Sequence, residues 1–135
     1  MSKNRWADLA APSLDDFTDL AEAAFAALPS QFKAMAGEVV FRISDFGDQA
    51  MLDELGIADP FELTGLYSGV DLGHRSVFST PAVSPMVFLF RRPILDEWAE
   101  NGEVTLGELI AHVLVHEIGH HFGLSDEDIH HIESL

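Results

Sequence analysis

Apolar residues at Leu14, Phe17, Leu20, Ala21, Ala24, Phe25 and Leu28 recur at the spacing of one helical face. Ser13 stands before them as an N-cap. Asp15, Asp16 and Asp19 load the first turns with negative charge, which suits the helix dipole. The pattern predicts a helix over 14–28, ended by Pro29. Glu38–Ser44 (EVVFRIS) is rich in β-branched and aromatic residues and predicts a strand, broken by Gly47 and Asp48. Gln49–Leu55 reads as a short helix closed by Gly56, and 57–62 as a loop containing Pro60. Leu63–Asp71 carries two glycines and predicts a strand with a bulge or turn. His74–Pro85 reads as a loop. Met86–Arg91 (MVFLFR) is the most hydrophobic strand, either buried on both faces or at an edge under a helix. Pro93 permits a new start, so Ile94–Asn101 reads as a helix closed by Gly102. Thr105 and Glu108 form a capping-box pair at the head of a long helix, Leu106 to Phe122, which stops at Gly123. Ser125 caps a last helix, Asp126–Glu133. Residues 1–12 form a lead-in and 13–135 a single domain. The order predicts an α+β fold, a small mixed sheet packed on a central helix.

Composition narrows the function classes. The 135 residues contain no cysteine, which removes disulfides, thiolate metal ligands and a thiol nucleophile. Lys and Arg number 7 against 23 Asp and Glu, a net charge of −16. Binding a phosphate backbone requires a basic patch, so no nucleic acid and no anionic membrane surface is expected as a partner. The longest apolar runs, Ala23–Leu28 and Met86–Phe90, are far shorter than the ~20 residues of a membrane span. The N-terminus shows no apolar signal segment, so a cytoplasmic location is expected.

The chemistry lies in the long helix. Residues 112–126 read HVLVHEIGHHFGLSD, with His116, Glu117 and His120 forming H-E-x-x-H. A step of four residues turns a helix by ~400°, so His116 and His120 stand ~40° apart and ~6 Å along the axis. Their rings can converge on one metal ion. Glu117 flanks them, where a carboxylate can take the proton of a metal-activated water. A catalytic zinc needs a third protein ligand. Gly123 can end the helix in the left-handed conformation and turn the chain back, so that Asp126 arrives three residues later to close the tetrahedron. Ile110, Leu114 and Ile118 on one side, with Leu109, Val113 and Val115, make the helix a buried one.

Some positions carry two readings. Asp126 is the third ligand, or an acid in the first turn of the last helix. In the second case His130, His131 or Glu133 supplies the ligand. His112, one turn before His116, reads as a satisfied core histidine in preference to a neighbour that orients a ligand. His121 turns away from the metal. Tyr67 reads as core in preference to a donor to a developing oxyanion, and Arg75, Arg91 and Arg92 as surface charges.

The string His116-Glu117-x-x-His120-x-x-Gly123-x-x-Asp126 resembles the zincin metallopeptidases, in the metzincin-type form with Asp in place of a third His. The wider chain is similar to a small bacterial family of minimal metalloprotease-like proteins, through Gly65–Leu72, Val87–Pro93 and His116–Asp126. The resemblance covers roughly residues 37–132. It implies a zincin-like fold with an edge strand, Met86–Arg91 or Leu63–Val70, that pairs with an extended peptide. It also implies zinc on His116, His120 and Asp126, and Glu117 as general base. All four methionines precede the motif, so the methionine turn and lower subdomain of larger metzincins are not expected. The expected function is zinc-dependent hydrolysis of a peptide or flexible protein segment. The alternative is a zincin-shaped metal- or peptide-binding module without turnover. A zinc that only holds the fold is the third reading.

Overall fold

The protein is described from a computed structural model covering residues 5–68 and 85–133. The expected loop 74–85, with Arg75, and the end of the strand 63–71 lie outside these residues, apart from Pro85.

The first helix, α1 (Leu14–Ala26), opens with the expected cap. Ser13 Oγ accepts from the Asp16 N–H and the Asp16 carboxylate accepts from the Ser13 N–H. It ends two residues before the Leu28 predicted from periodicity. A second helix that the hydrophobic pattern did not reveal, α2 (Ser30–Ala36), follows directly. The Lys33 ammonium reaches back to the Ala26 carbonyl at 2.9 Å, placing a cation on the carbonyl end of α1. Phe32 of α2 is fully buried.

Strand β1 (Val40–Ser44) leads through α3 (Gln49–Leu55) and a short 3-10 turn, Pro60–Glu62, to β2 (Gly65–Ser68). Strand β3 (Met86–Phe90) runs into α4 (Arg91–Asn101) without a break. Pro93 therefore sits in the first turn of α4, where a missing N–H costs nothing, and the helix begins three residues before the predicted start. The sheet order is β1-β3-β2, with β1 parallel and β2 antiparallel to β3. Met86–Phe90 is thus the central strand, and Gly65–Ser68 lies at an edge among the described residues. Val87, Leu89 and Phe90 are buried accordingly. The expected bulge does not occur over 65–68, where the register with 86–89 is continuous. Gly65 serves packing instead: a Cβ there would lie 2.8 Å from Val113 Cγ1.

The long helix α5 (Leu106–His121) packs on β2, α1, α2, α4 and the last helix, α6 (Asp126–Glu133). Ile110, Leu114 and Ile118 are fully buried in the main core with Phe17, Phe32, Val87, Leu89, Ile94 and Ile129. The result is an α+β fold with a small mixed sheet on a central helix. The lead-in is tied down by Arg91, whose Nε–H donates to the Pro12 carbonyl and whose Nη1 pairs with Asp45 at 3.0 Å. Arg91 is therefore a strap between distant segments and not a bare surface charge. No helix among the described residues is long and apolar enough to cross a membrane.

Candidate metal centre

The end of α5 positions the donors. Thr105 and Glu108 form the capping box at its start, which holds the Glu108 carboxyl below its usual value through the hydrogen bonds from Thr105. At the other end the Gly123 N–H bonds the His120 carbonyl at 3.0 Å and the Leu124 N–H bonds the Gly119 carbonyl at 2.9 Å. Gly123 has φ +84°. This pair of bonds around a left-handed glycine is a Schellman stop, and it reverses the chain as the sequence requires.

α6 then starts at Asp126. Its cap is shared by Ser125 and Asp128: Ser125 Oγ accepts from the Asp128 N–H, and the Asp128 carboxylate accepts from the Ser125 N–H. The capping work falls to these two residues, so the Asp126 carboxylate is not spent on the helix. Asp126 Oδ1 lies 2.6 Å from His120 Nε2 and 3.8 Å from His116 Nδ1. Gly119, in the motif's interior, allows the two helices to approach. A Cβ on it would stand 2.7 Å from Ile129 Cδ1 and 3.4 Å from Phe32 Cε1. This role for Gly119 was not read from the sequence, although a glycine inside a helix costs stability and signals close packing.

His116, His120 and Asp126 each offer a ligand atom, all within 4.8 Å of one another. Four ligands placed tetrahedrally at ~2.0–2.2 Å from zinc stand about 3.4 Å apart. The observed 2.6 and 3.8 Å straddle that spacing and the remaining separation is within 4.8 Å, so side-chain shifts on the order of an ångström fit this donor set to a zinc ion. Two imidazoles and a carboxylate are also an ordinary zinc set. Burial pushes the His116 pKa down, reinforced by His112 and partly opposed by Glu133, the direction that favours a neutral ring with its lone pair available. Glu117 is half-buried. Burial pushes its carboxyl up and His120 pulls it partly back, the direction a proton-accepting group near neutral pH needs.

The remaining candidates separate. His112 is no core histidine: its side chain is 54% exposed and its Nδ1 lies 3.5 Å from Glu133 Oε2. It sits on the solvent side because the buried stripe of α5 runs through Leu109, Val113 and Leu114. Glu133 also approaches His116, Oε1 to Nε2, at 4.0 Å. His130 and His131 join no group of metal donors among the described residues. His121 packs on Tyr67, ring centroids 4.4 Å apart, and Phe122 lies 5.8 Å from the same ring. Tyr67 is buried, as expected of a core tyrosine, and burial raises its pKa.

No curated protein matches the chain. The sequence profile of the zincin-like metallopeptidases matches residues 36–135, a stretch that holds the whole sheet, α5 and α6. With about three-quarters of its length inside that match, the chain belongs to the zincin-like metallopeptidase family.

Proposed function

We propose that the protein is a zinc-dependent metallopeptidase in which His116, His120 and Asp126 hold the ion and Glu117 is the general base. The observation that carries this reading is the Asp126 carboxylate, freed from helix capping by Ser125 and Asp128 and set against His120 at 2.6 Å. A zinc ion supplies Lewis acidity that polarises a peptide carbonyl and makes water nucleophilic near neutral pH. Glu117, raised by burial, takes the proton of the attacking water and returns it to the leaving amine. Among the described residues Gly65–Ser68 lies at a sheet edge, where an extended substrate, a peptide or a flexible protein segment, would pair with it.

Incubation of zinc-loaded protein with unstructured peptides, read by mass spectrometry, tests this. Cleavage abolished by a chelator and restored by zinc is the expected result. Peptide binding without cleavage by the zinc-loaded protein would instead identify a binding module.

A further inference from the structure

We infer that a divalent transition-metal cation has a second seat on His112, His116 and Glu133, alternative to the first. The inference rests on the proposed reading only in that both seats share His116. The two helices α5 and α6 form a hairpin across Gly123, and their donors face each other as a ladder. His112, His116 and His120 recur every four residues on α5; Asp126 and Glu133 stand two turns apart on α6. His120 meets Asp126 next to the turn. His112 meets Glu133 two turns away, Nδ1 to Oε2 at 3.5 Å, close to the ~3.4 Å spacing of ligands on zinc. His116 stands between, with Nδ1 towards Asp126 at 3.8 Å and Nε2 towards Glu133 at 4.0 Å. The His112 and His116 rings lie side by side, centroids 4.1 Å apart. His112, His116 and Glu133 offer ligand atoms that, like those of the first set, all lie within 4.8 Å of one another. Their chemistry matches too, two imidazoles and one carboxylate. A cavity of about 320 Å³ lined by Glu97, Asn101, Glu108, His112 and Glu133 opens beside this seat and admits a hydrated cation.

A neutral imidazole has one lone pair, so His116 serves one ion at a time. Metal on the second seat takes His116 away from His120, Asp126 and Glu117. The ion then has a holding position from which the protein is not assembled for hydrolysis.

Zinc titration of the full chain, with stoichiometry from equilibrium dialysis and histidine-ring nitrogen signals from NMR, distinguishes the seats. Wild type is expected to take one zinc and shift the rings of His116 and His120. Asp126→Ala, an exposed position whose loss spares the core, is expected still to take one zinc, now shifting His112 and His116. His120→Ala is expected to do the same. Adding His112→Ala or Glu133→Gln to Asp126→Ala should weaken zinc binding at least ~10-fold. If Asp126→Ala and His120→Ala bind no zinc, or bind it without moving His112, the second seat is overturned, while a wild-type shift of His116 and His120 keeps the first. If zinc moves His112 and His116 of the wild type and leaves His120 alone, the second seat stands and the proposed catalytic set fails. Two zinc ions bound at once to the wild type overturn the alternation.

Discussion

Ile129 of α6 occupies the space that a side chain on Gly119 of α5 would need, with its Cδ1 and Cγ1 2.7 and 2.8 Å from the position of a Cβ. Ile129 is fully buried and cannot swing out. Gly119→Ala must therefore push the helices apart. Overpacking of this kind costs about 1–3 kcal/mol, read by urea denaturation of the metal-free protein. The same displacement carries Asp126 away from His120, so zinc affinity should fall together with stability. Unchanged stability would show that the helices do not pack this way.

Gly123 poses a different constraint. Nothing lies within 4 Å of a Cβ there, but its φ is +84°. Gly123→Ala should cost about 1–2 kcal/mol from the left-handed backbone alone, and Gly123→Asn less, since Asn tolerates that region. Equal losses for Ala and Asn in denaturant titrations would contradict this origin.

Glu117→Gln keeps the shape and removes the base. Zinc content by elemental analysis should be unchanged, and kcat for peptide cleavage should drop by about 10²–10⁴. Retained turnover would assign the proton transfer to another group.

Ser125→Ala removes the hydroxyl that accepts from the Asp128 N–H. The expected loss is about 1 kcal/mol. Amide exchange should show it first in residues 126–133, with weaker zinc binding following from a frayed start to α6. Uniform exchange across that segment in both proteins would count against the cap.

Tyr67 is the chain's single tyrosine, so tyrosinate absorbance reports it alone. Its pKa is raised by burial, so the folded state holds the phenol's proton more tightly than the unfolded state does. The stability linked to it is complete below the ordinary value near 10 and is lost as pH rises through the folded value. Tyr67→Phe should flatten that alkaline decline in urea denaturation. An equally steep decline would place its cause elsewhere.

The helix bounds around the donors were legible because their signals are local. Thr105 with Glu108, Gly123, and Ser125 act within four residues of the backbone they cap. The spacing of His116, His120 and Asp126 is likewise a local fact that helix geometry converts into proximity. The α2 helix escaped because seven residues with two buried positions, Phe32 and Ala36, give too short a period to register. Whether Met86–Phe90 is a central or an edge strand stayed open because strand order is set by pairing partners far along the chain. Exposed His112 was misread for a related reason: one polar residue on an apolar helix does not reveal where the stripe's edge falls. Its partner Glu133 arrives only through the α5–α6 hairpin.

The parallel pairing of β1 with β3 joins Val40 to Met86, 46 positions later. During synthesis the first strand leaves the ribosome long before its neighbour exists, and α1 likewise waits for α5 to cover Phe17 and Ala21. Pairings this distant fold slowly and leave apolar surface open meanwhile. The early half of the chain therefore keeps Phe17 and Ala21 uncovered until β3 and α5 emerge. Most of the acidic charge arrives with those later elements: residues 1–50 carry 4 basic and 8 acidic side chains, and residues 51–135 carry 3 and 15, so like-charge repulsion between copies is weakest while the first segments wait.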